Sequence, residues 1–124
     1  NADLTLGRFG PALSRGTTGL PKLACALDFR LDRSLEVVLV APEGGDVQVL
    51  LDIVRNTFLP NRVLVRIKDG EGTAPLAKAI PIISGKTTIN GKATAYVCEM
   101  GACLKPTTDP KEFARQLAQM KQAL

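Results

Sequence analysis

Cys98 and Cys103 are the residues of this chain whose type and spacing could do chemistry. They stand in Ala95-Tyr-Val-Cys98-Glu-Met-Gly-Ala-Cys103-Leu-Lys-Pro106-Thr-Thr-Asp109-Pro110, where a strand-like run, two thiols and a helix start follow one another without a gap. If Glu99–Ala102 is a hairpin turn, the two cysteines face each other with Cα atoms about 4.5–5.5 Å apart, within disulfide range. Such a pair suits a reversible thiol switch or half of a metal site, but more readily two small buried thiols at a strand–turn corner. Spacing weighs against two chemistries. A structural zinc site takes four Cys or His ligands; the chain has no histidine, and its third cysteine, Cys25, sits on the apolar-stripe side of a leading helix, so no metal is expected. A thioredoxin-type Cys-x-x-Cys site sets its thiols against a helix N-terminus that lowers the first pKa, whereas here the helix begins well beyond Cys103.

A second stretch, Ala41-Pro42-Glu-Gly-Gly-Asp46, falls between a strand and a helix, where α/β sheets bind ligands and amide donors can receive an anion. Glu43 and Asp46 would repel a phosphate, and neither a dinucleotide fingerprint nor a phosphate-loop lysine is present. An ordinary turn with Asp46 as a helix cap accounts for it better than a small-anion or nucleotide site does. Asp28, Glu71 and Glu99 form no pair that the sequence brings together, so they read as solvated surface. No catalytic residue and no cofactor are assigned, and the segment itself is expected to be non-catalytic.

The elements that must position these residues are legible by period. Leu20, Leu23, Ala24, Leu27 and Leu31 make an amphipathic helix ending near Asp32, with Pro21 in its first turn. Before Gly16 the loosely spaced Leu4, Leu6, Phe9 and Leu13, interrupted by Gly7, Gly10 and Pro11, predict a broken or mobile helix. Leu35–Ala41 is a β-branched run suited to a strand covered on both faces. Val47, Leu50, Leu51, Val54 and Phe58 restore helical spacing behind Asp46, and Arg62–Ile67 is a second strand, completing a right-handed βαβ unit. Pro75–Ile83 predicts a short helix that Pro81 ends or bends. Asn90-Gly91 predicts a tight turn into a third strand, Ala93–Cys98. Asp109-Pro110 and Glu112 then start a closing helix with Phe113, Leu117, Met120 and Leu124 on one face. The expected fold is α/β: a small three-layer domain with a mostly parallel three- to four-stranded sheet around a βαβ core, preceded by a helix. The expected boundaries are residues 1–31 for the leading helical segment and 32–124 for the α/β domain.

Composition sets further bounds. With 124 residues, 45% of them hydrophobic, the chain can bury one ordinary core. Its sixteen Lys and Arg against twelve Asp and Glu are scattered and aromatics make up only 4%, which argues against nucleic acid as a partner. No apolar run reaches the ~20 residues of a membrane span. The start, Asn1-Ala-Asp-Leu-Thr-Leu, lacks an initiating Met and a signal-peptide pattern and reads as a piece cut from a longer chain. Three cysteines, an odd count, argue for a reducing compartment, with cytoplasm the expectation.

Leu27-Asp28-Phe29, the Glu36–Val40 strand, Asn56-Thr-Phe58-Leu59-Pro60-Asn61 and, above all, Ala95–Pro110 resemble the C-terminal region of the YyaL-type thioredoxin-domain proteins, the spermatogenesis-associated protein 20 family. That resemblance implies a larger protein with an N-terminal thioredoxin-like domain and a central helical barrel similar to those of sugar epimerases and six-hairpin glycosidases. By the same resemblance, residues 1 to about 31 correspond to the last helical part of the barrel and Leu35 onward to an α/β portion beside it. The barrel and the thioredoxin-like domain are then the implied partners, and neither of their active sites lies in this segment. Only Cys98 and Cys103 match a family motif, as a possible redox pair.

Overall fold

A computed structural model describes residues 1–16, 18–73 and 75–123, and the chain divides into two compact units, one of residues 1–34 and one from Leu35 onward.

The first unit is a pair of packed helices, α1 (Ala2–Arg15) and α2 (Pro21–Leu31). The broken helix expected before Gly16 is instead one helix of 14 residues with Pro11 inside it. Its ends are well served. Asn1 accepts from the amide of Asp3 through its side chain at 3.1 Å, and Asp3 and Arg15 sit at the ends where their charges suit the helix dipole. Near the proline, the Ser14 hydroxyl donates back to the Gly10 carbonyl at 3.2 Å, a bond that accompanies local bending. Arg30 of α2 donates to Asp3 at 2.8 Å, but both side chains are largely exposed and the pair adds little. α2 begins at Pro21 and ends before Asp32, as its spacing predicts. Cys25 is an exposed free thiol and not a stripe residue.

The second unit is built on a four-stranded sheet of order β2-β1-β3-β4, with β1 Leu35–Ala41, β2 Arg62–Lys68, β3 Thr94–Glu99 and β4 Ala102–Cys103. The sheet is mixed, which corrects the expectation of a mostly parallel one. β1 and β2 run parallel around helix α3 (Gln48–Asn56), but β3 lies antiparallel to β1, with Val37 opposite Val97 and Leu39 opposite Ala95. The cause is the path of residues 69–93. A parallel β3 would need a crossover returning to the start of β1. Instead Asp69, whose amide extends the β1–β2 ladder by donating to Ala41, accepts from the amide and hydroxyl of Thr88 at 3.0 and 2.5 Å. Those bonds also hold the Asp69 carboxyl below the usual carboxylate range. The far end of the excursion is thereby fastened where β2 stops, and the chain enters β3 from that same end. Tyr96 adds a second fastening, its hydroxyl donating to the Thr87 carbonyl at 2.8 Å.

Period-two alternation distributes β1 between two cores. Val37, Leu39 and Ala41 pack with Val47, Leu50, Val54, Leu59, Phe113 and Leu117 beneath α3 and the closing helix α5 (Pro110–Ala123). Val38 and Val40 pack with Ile67 and Ile83 on the opposite face. That second face is covered by a four-residue helix α4 (Leu76–Ala79) and the 3-10 turn Pro81–Ile83, since Pro81 ends the α-helix as its ring requires. Phe58, expected on the α3 stripe, lies beyond the helix and is exposed. Asp46 caps one residue early, accepting from the Gln48 amide at 2.9 Å while Val47 holds the N-cap position. Asp109 caps α5 by accepting from the Lys111 amide at 2.9 Å. Leu124, expected on the apolar face of α5, lies outside the described residues. Asn90 and Gly91, with φ of 51° and 64°, form the predicted turn, a left-handed pair for which Asn-Gly is the preferred chemistry.

Candidate functional site

The thiol pair sits in the hairpin β3–β4. Met100 and Gly101, with φ of 49° and 82°, form a two-residue turn, so Glu99 pairs with Ala102 and Cys98 with Cys103. The Leu104 amide donates to the Val97 carbonyl at 2.9 Å. Cys98 and Cys103 are therefore a non-hydrogen-bonded pair, the class in which opposed Cα atoms come closest. The two residues are joined by a disulfide, with Cα atoms 3.9 Å apart, nearer than the spacing alone suggested. The thiols that a reducing compartment would leave free are bridged here. Downstream, the chain stays on β3: Ala95 and Thr107 exchange two backbone hydrogen bonds of 2.8 and 3.1 Å before α5 starts. The Gln116 amide, buried on α5, donates to the Lys105 carbonyl at 2.8 Å and ties the helix to this segment.

The two cysteines occupy different surroundings. Cys98 is only 1% exposed, on a strand flanked by β1 on one side and β4 on the other, whereas Cys103 is exposed on the outermost strand. Closing so short a loop removes limited entropy from the unfolded chain. Replacing both residues by alanine should cost about 2 kcal/mol and leave the fold intact, as urea unfolding of the double variant can show. Among the described residues, no three His, Cys, Asp or Glu side chains come together as a metal site.

The loop from Pro42 to Asp46 borders a cleft of about 760 Å³ at the C-terminal ends of β1 and β2. Besides Ala41–Gly45, its walls include Arg66, Lys68, Asp69 and Thr87. Sequence reasoning singled out the loop but missed the two cations. Their signal was present: Leu64, Arg66 and Lys68 recur every second residue, so they share the β2 face that bears Leu39 and Ala41 on β1. Within the lining, Arg66 and Lys68 are matched by Glu43 and by Asp69, which the Thr88 bonds hold ionised. With charges so balanced, the cleft concentrates no net positive field on an anion. ATP titrated into the protein should bind with a Kd of about 1 mM or weaker, a free energy near 4 kcal/mol. Backbone NMR shifts at Gly44 and Gly45 that saturate at micromolar ATP would contradict this.

The chain is similar to spermatogenesis-associated protein 20 from three mammals. It is 30% identical to the rat protein over 115 residues, 31% to the human protein over 113 and 30% to the mouse protein over 115. These alignments cover 92%, 90% and 92% of the chain, and each takes in 14% of the relative's length. The family resemblance carried above all by the Ala95–Pro110 motif is thus borne out across most of the chain, as one region of much longer proteins. No family model matches, and no solved structure matches significantly.

Proposed function

We propose that this chain, which is similar in sequence to one region of spermatogenesis-associated protein 20, is a non-catalytic accessory domain from the C-terminal part of a larger thioredoxin-related cytoplasmic protein. Its partners are the helical-barrel and thioredoxin-like domains of that same protein. The observation that carries this reading is apolar surface left uncovered in each unit. Phe58 is 72% exposed in the second unit, and Leu4 and Leu31 are 74% and 76% exposed in the first. Single exposed apolar residues are ordinary. Here, however, Phe58 stands in the Asn56–Asn61 motif of the family resemblance, and the relatives continue for several times the length of this chain. The chain also has no histidine, the commonest general acid–base, and no described helix is long and apolar enough to cross a membrane.

The test compares Phe58→Ser in two contexts. In the isolated segment the side chain is already in water, so stability should change by no more than about 0.5 kcal/mol. In the full-length protein the same change should lower the melting temperature and raise hydrogen exchange around Phe58. Equal, small effects in both contexts would rule out this surface as the accessory contact.

A second reading, a thiol redox module using Cys98 and Cys103, is favoured by one observation: the pair is bridged and one of its two residues, Cys103, is exposed. In a reducing cytoplasm a glutathione pool contests such a bond, so the pair would be reversible and not a permanent staple.

A further inference from the structure

We propose that the Cys98–Cys103 bridge is a site for a small thiol of the glutathione class and that it opens in one direction, with Cys103 the sulfur attacked and Cys98 the sulfur released. This rests on the second reading above, that the pair is reversible.

Access to the two sulfurs sets the direction. A thiolate attacking a disulfide forms its bond to one sulfur while the other departs, and it must arrive from the side opposite the departing sulfur. Which sulfur is taken therefore depends on what lies behind each. The strand order β1-β3-β4 decides this. Behind Cys98 stands β1, with Glu36 directly opposite in register and the buried Val38 next to it on the same sheet face. Behind Cys103, among the described residues, there is no further strand, because β4 is the edge of the sheet, and Cys103 is exposed. The neighbouring Ala102 and the turn residues Met100 and Gly101 are exposed as well, which leaves room for a tripeptide-sized thiol.

The attacking thiolate bonds to Cys103 Sγ, the Cys98–Cys103 bond breaks, and Cys98 leaves as a thiolate that takes a proton from solvent. The product is a mixed disulfide on Cys103 and a free thiol at Cys98. It can revert, with Cys98 attacking Cys103 and expelling the small thiol. Alternatively, a second equivalent of small thiol can attack the outer sulfur, releasing the Cys103 thiolate and the oxidised small-molecule disulfide. Both electrons of the full reduction come from the two small thiols.

The test uses the whole chain with Cys25→Ser, which removes the exposed competing thiol. The folded protein is treated with reduced glutathione, quenched with N-ethylmaleimide, and its singly modified species are mapped by fragmentation mass spectrometry. A urea-unfolded sample, in which both sulfurs are equally accessible, serves as the reference. The expected result is glutathione on Cys103 with N-ethylmaleimide on Cys98, in at least about tenfold excess over the reverse arrangement in the folded protein and near parity in the unfolded one. Opening with glutathione on Cys98, or with equal distribution in the folded protein, would overturn the direction while leaving the pair reversible. A bridge that stays closed in the folded protein, while opening in the unfolded one, would overturn both the direction and the redox reading.

Discussion

Gly72→Ala should cost the second unit about 3 kcal/mol or more, because the site has no room for a methyl group and its neighbours cannot yield. A Cβ built on Gly72 would stand 2.3 Å from the Lys86 carbonyl oxygen and 2.8 Å from that of Ile83. Both are backbone atoms, so relief requires moving the chain and not a side-chain rotamer. The same backbone carries the bond from the Gly85 amide to the Gly72 carbonyl, 2.9 Å, and leads directly to Thr87 and Thr88, which fasten the excursion to Tyr96 and Asp69. The damage should spread accordingly, with loss of the Thr88 bonds and faster exchange at the start of β3. Gly85→Ala is the informative comparison. That residue has φ of 70° with nothing near its missing Cβ, so only conformational strain is expected, about 1–2 kcal/mol. Urea midpoints of the two variants separate crowding from strain. A Gly72→Ala midpoint equal to that of Gly85→Ala would show that the Lys86 and Ile83 carbonyls are not held against it.

Phe113→Ala is expected to be the most damaging substitution in the larger core, at about 3–5 kcal/mol. Phe113 is fully buried among Leu35, Leu39, Val97 and Leu117, the layer by which α5 grips the sheet. Its truncation loses the transfer energy of the ring and leaves a cavity whose walls are β1 and β3, strands already fixed by ladders on both sides. Collapse of the hole is therefore resisted, which places the expected cost in the upper part of that range. Phe113→Leu should recover much of the loss, since it retains most of the apolar volume. Chemical denaturation measures both, and an alanine cost below about 1 kcal/mol would mean that α5 is not anchored through this ring.

Much of this fold was legible because the signals were local. Pro21 at the first turn of α2, the run Leu35–Ala41, the Asn90-Gly91 turn and Asp109-Pro110 at the start of α5 each specify their structure within a few residues, and each appears where its chemistry places it. The direction of β3 was not local. It depends on Asp69 meeting Thr88, an encounter between residues that no periodicity relates. The unbroken α1 was also misread. Gly7, Gly10 and Pro11 weaken a helix by propensity, while Asn1 capping and packing against α2 offset that weakness. For the candidate site, the facing of Cys98 and Cys103 followed from a short hairpin. The unequal exposure of the two cysteines did not, because it requires knowing that β3 is interior and β4 is the edge. The cations of the cleft escaped notice for the same reason: Arg66 and Lys68 belong to a different element from the loop they face.

The antiparallel entry of β3 also bears on how quickly the protein assembles. β1, α3 and β2 can meet through a short crossover, and β3 with β4 through a two-residue turn, so each can form from neighbours in sequence. The β1–β3 ladder joins these pieces only after residues 69–93 have been folded back, which makes it the topologically distant contact whose closure limits the folding rate. Its entropic cost grows only with the logarithm of the intervening length, about 0.6 kcal/mol for each doubling. Lengthening the exposed Asn90-Gly91 turn should thus slow folding and lower equilibrium stability by about the same small free energy, leaving the unfolding rate nearly unchanged. The excursion that reverses β3 is thus expected to weigh on the rate of assembly and on the stability of the finished structure through one closure entropy.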